Sequence, residues 1–226
     1  MNTLTKYWFL EGFDLFRKLS MPTMMRICKL LEMENKDKGE VISLGDRDRK
    51  NIFFLKKGTV KIIDTSTDTI KYIVKKGNLF GELALYDEET ASKEQAITLE
   101  DSIICYIEAD MMEDLMSRYR SLKNGVLKIY GLRIKRLERR LQDLLYKDSA
   151  TRIREFVFAY IQEFGQPLDG RLVAKNLLSH QDIAHLTNTS RQTVSNTLSI
   201  LRKDKQLDYD ARMLSIPMPG SLANNN

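Results

Sequence analysis

Six apolar residues in the middle of the chain recur at alternating spacings of three and four. They are Leu127, Tyr130, Ile134, Leu137, Leu141 and Leu144. This alternation places them along one narrow stripe of an α-helix, which is the pattern of a two-stranded coiled coil. Residues 110–147 contain no proline and are predicted to form one long helix that pairs two copies of the chain. The alternative is a helix whose stripe packs on the core of its own domain.

The segment before this helix has the pattern of a β-structure. Short apolar or alternating runs, separated by glycines, occupy Val41–Ser43, Ile52–Leu55, Thr59–Ile63, Ile70–Val74 and Ile103–Ile107. Regular short strands with glycine turns predict an antiparallel sandwich or barrel. A short helix over Pro22–Met33 is predicted to precede them.

The segment after the long helix returns to helices and ends in a small hairpin. An apolar helix is predicted over Ala150–Phe164, followed by two short helices. Strands over Gln206–Tyr209 and Met213–Ile216 follow, joined by residues 210–212. The chain is therefore predicted to be α+β, with a β-domain at residues 1–109, a dimerisation helix at 110–147 and a third domain at 148–226.

The charge is concentrated on the middle segment. The whole chain has a net charge of +5, and residues 110–147 alone carry 10 basic and 5 acidic side chains. A basic excess favours nucleic acid as a partner, although a solvated helix face would have the same composition. No apolar run approaches the length of a membrane span, and the first residues lack the pattern of a signal peptide. We therefore expect a cytoplasmic protein with no membrane partner.

The inventory of reactive side chains argues against an enzyme. The 226 residues include two histidines, His180 and His185, and two cysteines, Cys28 and Cys105. The sequence shows no Ser–His–Asp set, no metal-ligand cluster and no phosphate loop with lysine. We expect no catalytic residue, no metal site and no cofactor, because an iron–sulfur cluster needs four cysteines and haem needs an axial ligand. A thiol redox switch at either cysteine remains an alternative.

The most informative stretch runs from Ser179 to Leu207. Ser179 and Asp182 form a helix start, and Ile183, Ala184 and Leu186 supply a buried face. Asn188 lies where a turn needs a left-handed backbone, and Ser190 caps a second helix. This pattern predicts a helix-turn-helix whose second helix enters a major groove of DNA. A small helical hairpin with a polar surface is the alternative.

The polar residues of this motif divide into two groups by their chemistry. Arginine pairs bidentately with guanine, and glutamine or asparagine with adenine, so the exposed start of the second helix is predicted to contact base edges. Other polar residues of the motif are predicted to contact phosphates. The base-reading group is Arg191, Gln192, Ser195 and Asn196, and the phosphate group is His180, Thr189, Ser190, Thr193, Arg202 and Lys203. Ser179 is also placed at the DNA interface, without an assigned contact.

At this point the chain resembles the cyclic-AMP receptor protein and fumarate–nitrate regulator family. The run SRQTVSNTLSIL is similar to that family's recognition helix. The runs KGEVISLGD, IFFLKKGTVKI and GNLFGELALYDEE resemble its cyclic-nucleotide-binding β-roll. The resemblance covers nearly the whole chain in the right order. It implies a jelly-roll sensor domain, a dimer helix and a winged helix-turn-helix. It also implies a bacterial regulator that binds double-stranded DNA at a near-palindrome and contacts RNA polymerase.

The resemblance also locates an effector pocket, and there the sequence departs from the family. The phosphate-facing half is kept at Phe80, Gly81, Glu82, Leu83 and Ala84, with Glu82 at the position of the ribose-binding glutamate. The family's Arg-Ser/Thr-Ala triplet becomes Glu94-Gln95-Ala96, next to Lys93, and its adenine-facing pair becomes Leu137-Glu138. A glutamate repels a phosphate that arginine attracts, so cyclic AMP is not expected to bind.

Two hypotheses about control follow from this departure. In the first, the β-roll pocket is degenerate and the chain regulates transcription without cyclic AMP. In the second, another nucleotide or a small anion binds there, using residues 80–84 and Lys93.

Overall fold

The computed structural model describes residues 3–44, 50–81 and 93–218. These residues belong to two compact units, residues 1–136 and 137–226, and the boundary falls within one long helix. The first unit contains helices α1 (Thr3–Glu11), α2 (Met21–Leu30) and α3 (Ala109–Arg118), and the start of α4 (Arg120–Tyr146). Its described strands are β1 (Glu32–Lys36), β2 (Val41–Ser43), β3 (Asn51–Lys57), β4 (Thr59–Asp64), β5 (Thr69–Lys75), β6 (Leu79–Gly81), β7 (Glu94–Thr98) and β8 (Ser102–Glu108).

The strands of the first unit form two antiparallel sheets, in the orders β1-β8-β3-β6 and β2-β7-β4-β5. Strand β3 shows how both faces of the first sheet are covered. Its alternate residues Phe53 and Leu55 face a core between the two sheets, whereas Ile52 and Phe54 face a second core formed with the helices. Because successive side chains of a strand point to opposite faces, β3 contains an almost continuous apolar run. The predicted sandwich is confirmed.

Two glycines permit close approaches within this sandwich. Gly58 has a φ of +93° between β3 and β4, and a Cβ there would lie 2.1 Å from Ser102 Oγ. Gly81 has a φ of +99°, and its Cβ would lie 2.2 Å from the Asn51 carbonyl oxygen. Both positions therefore need glycine for its backbone conformation and for its size.

Within the first unit, the sequence prediction missed helix α1 and three strands, and it misplaced the end of one helix. Helix α2 ends at Leu30, three residues before the predicted end, and β1, β6 and β7 were not predicted. Met33 is instead a strand residue that pairs with Cys105 and packs on the core formed with the helices. Strand β1 has a mixed polar sequence, so its pairing with β8 comes from tertiary contacts and not from local preference.

The single helix predicted over residues 110–147 is wrong at Tyr119, where the structure separates α3 from α4. Tyr119 has an extended backbone, with φ −119° and ψ 95°. Its N–H donates to the Leu115 carbonyl, and its own carbonyl accepts from Leu122 and Lys123, so few hydrogen bonds are lost at the break. The break lets Leu115 and Leu122 both be buried in the core formed with the helices.

The second unit begins within α4 and contains helices α5 (Ser149–Phe164), α6 (His180–Thr187) and α7 (Arg191–Lys203). Strands β9 (Gln166–Leu168), β10 (Arg171–Lys175), β11 (Asp208–Tyr209) and β12 (Met213–Pro217) form one antiparallel sheet in the order β11-β12-β10-β9. The predicted hairpin at the end of the chain is confirmed as β11 and β12. Asp210 Oδ1 accepts from the N–H groups of Arg212 and Met213 and holds its turn.

The hairpin β9–β10 was not predicted, although its sequence contains a clear turn signal. Asp169 and Gly170 connect the two strands with φ values of 46° and 73°. Two positive φ values in a two-residue loop are the requirement of a type I′ turn, and Asp-Gly is one of its preferred sequences. The sequence analysis assigned no strand to this segment.

Candidate nucleic-acid interface

Helix α6 begins in a reciprocal capping box. The Asp182 backbone N–H donates to Ser179 Oγ at 3.1 Å, and the Ser179 N–H donates to Asp182 Oδ2 at 2.8 Å. The Ser179 hydroxyl also donates to Asp182 Oδ2 at 2.8 Å. The cap therefore uses the Ser179 hydroxyl both as a donor and as an acceptor.

The turn between α6 and α7 has the predicted left-handed residue. Asn188 has φ 50° and ψ 58°, and its N–H bonds back to the end of α6. Thr189 N–H donates to the Ala184 carbonyl at 2.9 Å, which closes the helix end. Ser190 then caps α7, because its Oγ accepts from the Thr193 N–H at 3.0 Å. These hydrogen bonds are local, which explains why the sequence alone predicts the motif.

Helix α7 has one buried face and one polar face. Its buried residues are Val194, Thr197, Leu198 and Leu201. Arg191, Gln192 and Asn196 are exposed on the rest of the helix. The Arg191 guanidinium has no hydrogen-bond or ion-pair partner in the described part of the chain. The helix therefore presents one arginine and two amides, the side chains that pair bidentately with bases.

Two side-chain hydrogen bonds organise this polar face. Gln192 Nε2 donates to Asn196 Oδ1 at 2.9 Å, so the two amides are joined one helical turn apart. His180 Nδ1 and the Ser195 hydroxyl are 2.8 Å apart, which connects the start of α6 to α7. Ser195 is half-buried, and this contact restrains its hydroxyl.

The end of α7 contacts the terminal hairpin. Arg202 Nε lies 3.3 Å from Asp208 Oδ1, and its guanidinium lies 5.3 Å from the centre of the Tyr209 ring. Both charged groups are exposed, so the ion pair contributes about 0–1 kcal/mol. Lys203 is exposed beside them and has no ion pair within the described ranges.

The apolar stripe of α4 is largely exposed. Leu127, Ile134, Leu137 and Leu141 are between 55% and 59% exposed. Leu144 is half-buried, and Tyr130 packs against the core of the first unit. The α4 residues that are buried in the core of the first unit are Leu122 and Val126, which precede the predicted stripe. The core of the first unit therefore leaves most of the stripe uncovered.

The predicted effector residues are only partly described. Phe80 is fully buried and stacks on Phe53 with ring centres 5.0 Å apart, and Gly81 follows it. Glu82, Leu83 and Ala84 lie outside the described residues. Lys93 and Gln95 are exposed, whereas the Glu94 side chain is 14% exposed and forms an ion pair with Lys71. Leu137 and Glu138 are exposed and belong to the second unit.

A tyrosine–arginine pair that the sequence analysis missed lies at the second sheet. The Arg133 guanidinium lies 4.0 Å from the centre of the Tyr72 ring. Burial lowers the pKa of Arg133, and no hydrogen-bond acceptor or carboxylate contacts it in the described part of the chain. The Tyr72 hydroxyl is buried and has no hydrogen-bond partner there either. No local signal identifies the pair, because Arg133 lies in a basic run and Tyr72 in an ordinary strand.

Both cysteines are expected to be unreactive in the folded protein. Cys28 and Cys105 are fully buried, and burial raises the pKa of the Cys105 thiol to about 12 and that of Cys28 above its ordinary value. Since the thiolate is the reactive form, alkylation at neutral pH should require unfolding. Alkylation followed by mass spectrometry, with and without denaturant, measures this. Labelling of the native protein as fast as that of a free cysteine would instead support the redox switch.

The described residues include neither a membrane-spanning helix nor a cluster of metal ligands. No helix among them is long and apolar enough to cross a membrane. No group of three or more His, Cys, Asp or Glu side chains within residues 3–44, 50–81 and 93–218 could hold a metal ion.

Comparisons with known families match both halves of the chain. Residues 34–119 match the cyclic nucleotide-binding domain, and residues 135–224 match the Crp-like helix-turn-helix domain. The fold is also found in solved structures. A CooA mutant from Carboxydothermus hydrogenoformans aligns with a TM-score of 0.69 and 21% identity, covering 92% of this chain and 90% of that one.

Curated relatives match over most of their length. The global nitrogen regulator of Synechococcus elongatus is 22% identical over 197 residues, covering 85% of this chain and 89% of the relative. The CRP-like cAMP-activated global transcriptional regulator of Mycobacterium tuberculosis is 21% identical over 188 residues, covering 82% and 84%. With both domains matched in order, this chain belongs to the CRP/FNR family of transcription regulators.

Proposed function

We propose that this protein is a homodimeric, sequence-specific DNA-binding regulator that acts on transcription without cyclic AMP. The observation that carries the proposal is the polar face of α7, where a capped turn exposes Arg191, Gln192 and Asn196. Its partners would be a near-palindromic double-stranded operator, a second copy of the chain and RNA polymerase. Such a regulator needs no catalytic residue, cofactor or metal.

Dimerisation is supported by the exposed stripe of α4. Four leucine or isoleucine side chains on one stripe, each more than half exposed, form an apolar surface that a soluble helix normally covers. A second copy of the same helix covers it with matching spacing. Two recognition helices then contact half-sites about one turn of DNA apart.

Selection of bound sequences from random DNA tests the proposal. The purified protein is expected to enrich a near-palindrome whose half-sites contain a G·C pair opposite Arg191. Enrichment of unrelated sequences, with binding that disappears at physiological salt, would indicate non-specific electrostatic attraction instead.

Ligand control through the first unit is the second candidate function. The Arg133–Tyr72 pair favours it, because a half-buried guanidinium without an acceptor loses hydration that an anion would replace. Glu94 lies where the family has an arginine, but its repulsion of an anion is reduced because Lys71 forms an ion pair with this carboxylate. A small anion or a nucleotide other than cyclic AMP would therefore be held by the cation on α4.

Calorimetry distinguishes the two modes of control. Cyclic AMP at millimolar concentration is expected to show no saturable binding, whereas a micromolar Kd would overturn the argument from Glu94. Inorganic phosphate and cyclic GMP serve as further anionic probes. An anion that binds should lose about tenfold in affinity in Arg133→Ala, the scale of one charge-assisted hydrogen bond. The exposed Lys135→Ala is the matched control and should leave binding unchanged.

A further inference from the structure

The end of α6 is bound by two arginines from outside the helix-turn-helix. Arg140, near the end of α4, donates from Nη2 to the His185 carbonyl at 3.1 Å. Arg152, in the first turn of α5, donates from Nε to the Thr187 carbonyl at 3.0 Å and from Nη2 to the Asn188 carbonyl at 3.2 Å. We call Arg140 and Arg152 the arginine clamp.

The clamp occupies the position where cations stabilise a helix best. The last carbonyls of a helix lack partners within it, and the helix dipole makes this end negative. The two guanidiniums satisfy three carbonyl groups at the end of α6 and in the turn. The Arg140 side chain is half-buried, and this burial lowers its pKa.

Arg152 also holds the joint between α4 and α5. Its Nη1 donates to the Lys147 carbonyl at 2.6 Å, so one side chain connects the joint to the turn of the helix-turn-helix. Lys147 itself forms ion pairs of 2.5 Å with Asp143 on α4 and Glu155 on α5. The hydrogen bond from Arg152 and the two ion pairs of Lys147 therefore restrain the angle between α4 and α5.

We propose that Arg140 and Arg152 are positioning residues that fix the direction of the recognition helix α7 relative to α4. This inference rests on the proposed function, because in a dimer paired through α4 the direction of α7 sets the distance between the half-sites. Neither arginine needs to contact DNA for this role. The clamp should therefore decide which spacer length between half-sites is preferred, while the choice of bases stays with α7.

Binding to operators with different spacers tests the clamp. The panel contains the selected near-palindrome and versions whose spacer is one base pair longer or shorter. Arg140→Ala should reduce the preference for the best spacer about tenfold, the scale of one charge-assisted hydrogen bond. Arg139→Ala removes the same charge from the neighbouring exposed position and should keep the preference. Arg140→Lys, which keeps the charge but not the planar fork, should resemble the alanine variant.

The salt dependence separates positioning from a phosphate contact. If Arg140→Ala weakens every spacer equally and reduces the salt slope by about one, Arg140 holds a phosphate and the clamp is wrong. A preference that stays unchanged would also overturn it. If the unmodified protein shows no spacer preference, the result contradicts the proposed binding of a dimer to two half-sites. It does not contradict the role of the clamp.

Amide hydrogen exchange tests the clamp without DNA. Exchange at residues 187–190 should be at least about tenfold faster in Arg140→Ala than in Arg139→Ala, with equal exchange in the core of α5. Arg152→Lys provides a second variant and should loosen the same residues. Unchanged exchange in both variants would overturn the proposal.

Discussion

Replacing Leu137 and Leu141 by glutamate is expected to convert the protein into monomers that bind DNA weakly. Both side chains are 59% exposed on the apolar stripe of α4, so the single chain should fold with the substitutions. In a dimer they would bury unpaired carboxylates, each costing on the order of 2 kcal/mol. We expect the dimer dissociation constant to rise by at least about a thousandfold. Analytical ultracentrifugation measures it.

The loss of the dimer should carry over to DNA. Two half-sites bound together gain about a hundredfold to ten-thousandfold over one, so a monomer should lose affinity on that scale. Leu132→Glu is the matched control, because Leu132 is 50% exposed and lies off the stripe. It should leave the dimer intact. A Leu137→Glu/Leu141→Glu protein that sediments as a dimer would show that the stripe has another use.

Replacing Arg191 by alanine is expected to remove discrimination at one base pair. Arg191 is exposed and unpaired in the described chain, and its planar fork matches the acceptors of guanine. The cost should be about 1–3 kcal/mol on the preferred site and much less on variants changed at that position. Arg191→Lys keeps the charge without the fork and should also lose this discrimination.

Lys203 provides the contrasting case. Lys203→Ala should weaken all sequences alike and reduce the salt slope by about one, as expected of a phosphate contact. Titrations on a set of single-base variants compare the two residues directly. If Arg191→Ala lowers affinity equally on every variant, Arg191 holds a phosphate and the base-reading edge of α7 lies elsewhere.

The neighbouring positions predict how the half-site differs from that of relatives. The resemblance places Gln192 where the family has a glutamate and Asn196 where it has a second arginine. Gln192 and Asn196 are joined by a hydrogen bond, so their amides act together. Amides pair with adenine, whereas a carboxylate accepts from cytosine. The half-site should therefore keep one G·C pair and differ at the next step.

The amino-acid sequence alone determined the parts of this protein that depend on local hydrogen bonds and spacing. Ser179, Asn188 and Ser190 identify the helix-turn-helix because a cap and a left-handed turn involve only residues a few positions apart. The order of strands, long helix and helix-turn-helix was also predictable, since each hydrophobic period belongs to one type of element.

The tertiary structure decided the features that depend on residues far apart in the chain. Polar β1 becomes a strand only because β8 pairs with it, and the break at Tyr119 exists because both sides of it reach one core. The Glu94 carboxylate was expected to repel an anion, but in the folded chain it forms an ion pair with Lys71. In the sequence, Arg140 is one of several cations in the basic middle segment. Only the folded chain brings it to the His185 carbonyl, which lies 45 residues later. Such contacts form between elements, so no local pattern in the sequence records them.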